Sequence, residues 1–318
     1  MANPEDQSPV IRELEKQIAE LEQSSGSEVA REEIERLRQQ LEAVRDKVPG
    51  TINDPWDRVL LARHPQRPYT LDYIQMLFTD FTELHGDRRF GDDQALVGGL
   101  AKFEERSVMV VGHQKGRDTK QKLLRNFGMA NPEGYRKALR LMQTAAKFGL
   151  PIITFVDTPA AYPGIGAEER GQAEAIAYNL KEIPKQRVPI VVIIHGEGGS
   201  GGALAIAVGD EVIMLENAVF SVIPPESCSS ILWRDWDHKQ DAARVLKLTA
   251  EDMLRLGIVD RVVPEPPGGA HNSHQLTADI LWPVLRSCLE DLEKLSPEEL
   301  LHRRHEKLRK LATFVSGD

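Results

Sequence analysis

The sequence VPIVVIIHGEGGSGGALAIAV, residues 188–208, predicts a buried strand, a glycine turn and a buried helix. Val191 to Ile194 are β-branched with no polar break, which is typical of a strand covered on both faces. Residues 203–208 are apolar on every side, so a buried helix is predicted to follow. Five glycines lie among the seven residues 196–202. Because glycine permits positive φ and lets another group approach the backbone closely, we expect this turn to form a site.

The composition of the chain limits the classes of protein to which it could belong. The chain has 318 residues, 41% of them hydrophobic, enough for one large α/β domain with extensions. A net charge of −9 argues against general nucleic-acid binding. The two cysteines, Cys228 and Cys288, have no metal-binding spacing, so we expect no metal in this chain and a reducing, cytoplasmic setting. We also expect no signal peptide and no membrane span, since the first residues are polar and apolar runs are short.

Two apolar seams at helical spacing lie near the start of the chain. They flank the break at residues 24–27 and predict a helical hairpin over residues 1–50. The first seam comprises Ile11, Leu14, Ile18 and Leu21, and the second comprises Ile34, Leu37, Leu41, Val44 and Val48. The hairpin is either a solvated arm or a docking element for a partner subunit. We favour docking, because two seams need more than each other to be buried.

Strands and helices alternate through the predicted main domain, residues 51–295. Helices are predicted at 70–84, 132–148, 167–181, 203–208 and 227–233, a β-hairpin at 96–103 and 107–111, and strands at 151–156, 190–195, 211–215, 218–223 and 258–263. A closing helix, 296–318, begins with a capping box at Ser296 and Glu299. Ligands gather at the carboxyl ends of parallel strands, so we expect the loops 157–166 and 196–202 to face one site.

Two polar segments have competing interpretations. The segment from His85 to Arg88 is interpreted as a turn held by its own side chains, in preference to a functional site. The second segment places five cations in eleven residues of an acidic protein: Lys115, Arg117, Lys120, Lys122 and Arg125. It is either a solvated loop or a local site for the phosphates of an anionic ligand, and the sequence leaves both open.

Four chemistries compete for the glycine turn. A phosphate-binding P-loop is excluded, because no Lys followed by Ser or Thr comes after the glycines. Gly196, Gly198 and Gly201 match a dinucleotide-binding spacing, but the motif lies mid-sheet and its helix is short. A Ser200 nucleophile would have only His195 nearby. We favour an oxyanion hole, in which amides of Gly201 and Gly202 each contribute about 3 to 4 kcal/mol to the transition state. With no side-chain base evident, a cofactor is expected to supply one.

Several further motifs make the chain resemble the α subunits of the acetyl-CoA carboxylase carboxyltransferase family, of the bacterial and plastid multisubunit type. The similarity covers nearly the whole chain. It is carried by residues 85–88, 112–117, 125–129, 132–138, 161–164, 166–172, 196–204 and 265–271. The resemblance implies an α/β, crotonase-like fold, a spiral of ββα units with an N-terminal helical hairpin and C-terminal helices.

The resemblance also implies a reaction and partners. The carboxyl group would pass from carboxybiotin, on a separate biotin carboxyl carrier protein, to acetyl-CoA. The product would be malonyl-CoA, in the first committed step of fatty acid synthesis. A β subunit with a zinc ribbon would complete an α2β2 assembly that works with biotin carboxylase, in the cytoplasm or the plastid stroma. The alternatives are another acyl-CoA-binding enzyme of the same fold, such as a decarboxylase or hydratase, and a non-catalytic scaffold of a multienzyme complex.

Carried over by residue, the resemblance assigns catalysis to Gly201 and Gly202, which would stabilise the ureido oxygen of biotin. The freed biotin nitrogen would then accept the acetyl proton. The substrate-binding residues would be Gly198, Gly199, Ala203, Ala160, Tyr162, Gly164, Lys115, Arg117 and Lys120.

Two positions depart from the family pattern. Ala160 replaces a glycine, which costs about 1 kcal/mol if the position needs positive φ. Ser227 also replaces a glycine, and we expect it to cap the following helix.

Overall fold

The sheet is the centre of the computed structural model, which describes residues 9–24, 28–45 and 54–311. Its eight strands run in the order β1-β2-β3-β4-β5-β6-β8, and β7 pairs with the end of β5. The first three strands are antiparallel, and β3 onward is parallel. The strands are β1 Thr79–Glu83, β2 Leu96–Phe103, β3 Arg106–His113, β4 Ile152–Thr158, β5 Ile190–Gly199, β6 Glu211–Leu215, β7 Val219–Ser221 and β8 Arg261–Val263.

Helices cover the sheet and extend from it. They are α1 Pro9–Ser24, α2 Glu28–Arg45, α3 Pro55–Ala62, α4 Thr70–Leu77, α5 Thr119–Leu124, α6 Pro132–Phe148, α7 Ile165–Glu169, α8 Gln172–Glu182, α9 Ser200–Leu204, α10 Pro225–Trp233, α11 Lys239–Leu246, α12 Ala250–Arg255, α13 His274–Leu292 and α14 Pro297–Arg309. Residues of β3, β4 and β5 form the centre of the main core, which Leu300 of α14 joins. The predicted α/β class is confirmed, as is the capping box at Ser296. None of the helices in the described ranges is long and apolar enough to cross a bilayer.

The predicted glycine turn begins later than expected. Strand β5 continues through Gly199, because Gly198 pairs with Phe220 and Gly199 with Ser221 of β7. The turn itself lies at Ser200, whose φ is +52°. The helix predicted at 203–208 is wrong beyond Leu204, because the short α9 spans Ser200–Leu204 and begins three residues earlier than predicted. Pairing with β7 extends β5 through these glycines. The local glycine content does not predict this pairing, because β7 follows later in the chain.

Three other predicted elements need correction. The helix predicted over 70–84 is wrong beyond residue 77, where β1 follows and pairs with β2 at the sheet edge. The helix predicted over 167–181 is two helices, because Gly171 adopts φ +83° between α7 and α8. Helix α10 begins at Pro225, so Ser227 lies inside it and does not cap it. The pairing of an edge strand and the exact first residue of a helix depend more on tertiary contacts than on local propensity.

The predicted N-terminal hairpin is present as α1 and α2, and it packs on its own chain. Apolar side chains of both helices form a cluster with the main domain: Leu14, Ile18, Leu21 and Leu37 with Phe127 and Met129, flanked by half-buried Ala160 and Tyr162. Gln17 adds polar contacts, since its Nε2 donates to the Arg117 carbonyl (2.8 Å) and its Oε1 accepts from Lys122 Nζ (2.5 Å). The described side chains of the two seams are therefore buried or half-buried within the chain. The side chains of Ile11 and Val44, and the whole of Val48, lie outside what the structure describes.

Candidate functional site

A buried ion cluster lies where the carboxyl ends of β3, β4 and β5 meet. Lys115, just after β3, places its Nζ 2.7 Å from Oδ1 of Asp157 and 3.0 Å from Oε2 of Glu197. The Glu197 amide donates to the same Asp157 oxygen (2.9 Å). One ammonium group therefore joins β4 to β5 at the position where the sequence predicted a ligand site.

Arg63, after α3, completes the cluster from the opposite side. Its Nε donates to Oε1 of Glu197 (2.6 Å), and its guanidinium also pairs with Glu226 of α10. Burial alone would raise the pKa of Glu197, but Arg63 and Lys115 outweigh it and hold that pKa well below its ordinary value. Burial would lower the pKa of Lys115, but Asp157 and Glu197 raise it overall. Glu197 and Lys115 are therefore both ionised at neutral pH.

Most glycines of the 196–202 run have no room for a side chain. A Cβ atom on Gly196 would lie 2.3 Å from Asp157 Oδ1, and one on Gly198 would lie 2.3 Å from the Phe220 ring. A Cβ on Gly199 would lie 1.8 Å from the Pro159 carbonyl oxygen, and one on Gly202 2.5 Å from the Ala160 backbone. Close packing inside the chain accounts for these four glycines.

Gly201 differs from its neighbours. A Cβ atom there would meet only the Ile176 side chain, at an ordinary 3.6 Å, and φ of Gly201 is not positive. The chain itself therefore leaves space at this position. The first amides of α9, which include those of Gly201 and Gly202, have no acceptor within the helix. Open space beside the first amides of a helix suits the close approach of a ligand oxygen.

The 158–164 loop lies against the glycine turn, as predicted. Gly202 contacts the Ala160 backbone, and the Thr158 hydroxyl donates to the Ala160 carbonyl (2.7 Å). Gly164 lies so close to the Tyr162 ring that a Cβ would be 2.4 Å from it. Ala160 is not at positive φ, so the strain considered for this substitution does not arise. Ala203 is fully buried beneath the turn.

The predicted cation cluster is divided by the fold. Lys115 is half-buried in the ion cluster, whereas Arg117 pairs with Asp72 and lies 4.6 Å from the centre of the Tyr69 ring. Lys122 is buried against Gln17, and Arg125 donates to the Gln94 carbonyl (2.8 Å). Lys120 is exposed. The structure thus brings Lys115 to the glycine strand and leaves Arg117 and Lys120 at the surface.

Sequence reasoning missed Arg63, Asp157, Glu197 and Glu226 as members of the site. Asp157 ends a buried strand and Glu197 stands among glycines, and both positions are signals of a functional or structural carboxylate. No local pattern marks Arg63 or Glu226, which reach the site from distant helices. Over the residues that the structure describes, no group of three His, Cys, Asp or Glu side chains could hold a metal ion.

Comparison with known proteins assigns the family. The family model "Acetyl co-enzyme A carboxylase carboxyltransferase-like" matches residues 5–312. The chain belongs to this family. It is 55% identical to the acetyl-coenzyme A carboxylase carboxyl transferase subunit alpha of Geobacter metallireducens over 310 residues, 97% of each chain. It is 58% identical to the subunit of the same name from Geobacter sulfurreducens, over 82% of each chain. The resemblance predicted from the motifs is confirmed, and the chain is a carboxyltransferase subunit.

Solved structures confirm the crotonase-like fold of this carboxyltransferase subunit. Transcarboxylase 12S superposes with a TM-score of 0.59 at 20% identity, over 79% of this chain and 44% of that one. A Pseudomonas malonate decarboxylase hetero-tetramer superposes with a TM-score of 0.59 at 17% identity, over 76% of this chain and 97% of that one. At these identities the likeness concerns the fold alone.

Proposed function

We propose that this chain is the α subunit that transfers the carboxyl group of carboxybiotin, held on a separate carrier protein, to acetyl-CoA, giving malonyl-CoA. Family membership and the names of the curated relatives support the reaction. The observation that supports the site is the open space at Gly201, because close packing accounts for its glycine neighbours, whereas neither close packing nor a positive φ accounts for Gly201 itself.

The residues at the turn fit the ureido group of biotin. A planar group can approach the backbone at Gly201, where the Ile176 side chain is in no more than ordinary contact with the Cβ position, and the amides of Gly201 and Gly202 can donate to its oxygen. Bound carboxybiotin would supply the carboxyl group and afterwards a nitrogen base. Tyr162 and Gly164, on the adjoining loop, would form the side wall. Arg117 and Lys120 are the cations at the surface that would attract the phosphates of CoA.

A partner subunit is part of the proposal. Exposed apolar side chains are concentrated on or beside α10 and α11: Val222, Ile231, Leu232, Trp233, Trp236 and Val245. An exposed apolar patch of this size marks a site of interaction with another protein. We propose that a carboxyltransferase β subunit with a zinc ribbon covers it in an α2β2 assembly. The carrier protein and biotin carboxylase would act with that assembly in the cytoplasm, in fatty acid synthesis.

The experiment mixes the purified chain with such a β subunit and measures malonyl-CoA-dependent carboxylation of free biotin, the reverse reaction. Activity is expected only in the mixture. Gly201→Ala should fold normally and lower the rate about 10²-fold, because the added methyl group occupies the space of the ligand. Gly91→Ala is the matched control, since a Cβ there has no neighbour within 4 Å.

Each outcome has a distinct meaning. Full activity of the Gly201→Ala complex would contradict the proposed site. Assembly without activity in the unchanged chain would favour the scaffold alternative. Loss of the malonyl-CoA carboxyl group without biotin would favour a decarboxylase.

A further inference from the structure

The pairing between β4 and β5 is interrupted beside the glycine turn. Val156 pairs with Ile194, and the next pair is Thr158 with Gly198. One residue of β4, Asp157, therefore stands opposite three residues of β5, 195–197. Extra residues in one strand form a bulge, and bulges near active sites redirect the end of the strand. Here the redirected end is Gly198 and Gly199, which then pair with β7.

The bulge is held by charge. Asp157 Oδ1 occupies the space where a side chain on residue 196 would lie, and it accepts from the Glu197 amide. Lys115 Nζ contacts this same oxygen and Oε2 of Glu197, while Arg63 takes Oε1. Both oxygens of Glu197 are thereby fixed, two residues before Gly199 and four before Gly201.

We propose that Lys115 is a positioning residue for the glycine turn and not a ligand of the phosphates of CoA. The activity test of this inference rests on the proposed function. Without Lys115, the buried Asp157 carboxylate would lose the cation that contacts it and would face Glu197, which Arg63 alone would still balance, so the bulge would shift. Gly199 already touches the Pro159 carbonyl with no spare room, so a shift of the bulge displaces the turn that carries Gly201.

The contacts of Lys115 oppose a phosphate at its ammonium group. Lys115 already pairs with two carboxylates, those of Asp157 and Glu197. A phosphate brought to Lys115 would meet two carboxylates within 3.0 Å of the ammonium nitrogen. Lys120, by contrast, is exposed, and no carboxylate among the described residues forms an ion pair with it.

The test compares Lys115→Met with Lys120→Met in the α–β complex, in the reverse reaction. Lys115→Met should lower kcat about 10²-fold and leave the KM for malonyl-CoA within twofold, because a small displacement of catalytic groups acts on the chemical step. Lys120→Met should raise that KM. Asp157→Asn combined with Lys115→Met should be no slower than Lys115→Met alone, since it removes one of the two opposed charges.

Amide hydrogen exchange of the peptide covering residues 195–204 gives a readout that needs no activity. Exchange should accelerate in Lys115→Met and stay unchanged in Lys120→Met. If Lys115→Met does not fold, Lys115→Arg replaces it, with a smaller fall in kcat and an unchanged KM expected. A raised KM with unchanged kcat in the Lys115 variants, or unchanged exchange, would overturn the proposal. An inactive wild-type complex would instead count against the proposed function, and the exchange measurement would still decide the role of Lys115.

Discussion

Arg67 and Glu265, 198 residues apart, form a fully buried two-point ion pair behind the glycine strand. Arg67 Nη1 lies 2.9 Å from Oε2 of Glu265, and its Nε donates to the carbonyl of His195 (2.6 Å). Glu265 also accepts from the backbone and side-chain amides of Asn217 and from the Ala270 amide. Burial alone would raise the pKa of Glu265, but Arg67 lowers it to about 2. This pair joins the segment after β8 to the strand that carries the site.

Replacing Glu265 by Gln should lower the free energy of unfolding by about 3 to 5 kcal/mol, because Arg67 would remain buried without a counter-charge. Urea unfolding followed by circular dichroism measures the change. Glu290→Gln is the control, since that side chain is 42% exposed and lies 3.7 Å from Arg106; we expect less than about 1 kcal/mol. Equal small losses in both variants would contradict the assigned role of the buried pair.

Arg304→Met should destabilise the protein by about 3 to 5 kcal/mol and release α14 from the core. The Arg304 side chain is fully buried, pairs with Asp210 (2.6 Å) and donates to the carbonyls of Gln186 and Val188. Its removal leaves the buried Asp210 carboxylate without a counter-charge. Arg303→Met, at the exposed neighbouring position, should change stability by less than about 0.5 kcal/mol. Thermal unfolding of the two variants side by side makes the comparison, and matching melting temperatures would refute the prediction.

Acidification from pH 7 to pH 5 should destabilise the chain through two buried histidines. Burial lowers the pKa of His113 and of His195 to about 3. Below pH 6.5 the unfolded chain binds protons at these sites and the folded chain does not. The free energy of unfolding therefore decreases as the pH decreases. Each histidine should contribute about 2 kcal/mol over this range. Urea midpoints at several pH values measure the slope, and His195→Asn should reduce it. A slope that is unchanged in His195→Asn would mean that other groups cause it.

Ile231→Glu and Leu232→Glu should weaken association with the β subunit at least tenfold. Both side chains are more than half exposed on α10, so the isolated chain should keep its melting temperature. Phe148→Glu is the control, because Phe148 is 67% exposed at the end of α6, away from α10 and α11 in the chain. Analytical ultracentrifugation or calorimetric titration gives the affinities. Association that tolerates both α10 variants would place the interface elsewhere.

Local patterns were sufficient for the elements whose causes are local. Helix α6 has the predicted bounds, Pro132–Phe148, because proline opens it and Gly149 at φ +68° closes it. The alternating and β-branched runs of β2, β4 and β6 were found for the same reason, as was the turn in which Asp87 accepts from the amides of Arg89, Phe90 and Gly91. Strand β1 was missed, because its pairing with β2 supplies hydrogen bonds that no local signal announces.

The sequence by itself determined the family, the α/β class and the presence of a glycine turn after a buried strand, since these follow from motifs and from hydrophobic runs that any fold of this chain must bury. Only the tertiary structure decided what each residue of the turn does. It showed that Gly198, Gly199 and Gly202 are filled by neighbouring groups and that Gly201 is open. It also showed that Lys115, which the sequence placed in a loop rich in cations, lies between the carboxylates of Asp157 and Glu197. Spacing along the chain cannot report such contacts, because Glu197 lies 40 residues from Asp157 and 82 from Lys115, and the three side chains meet only when β3, β4 and β5 pair.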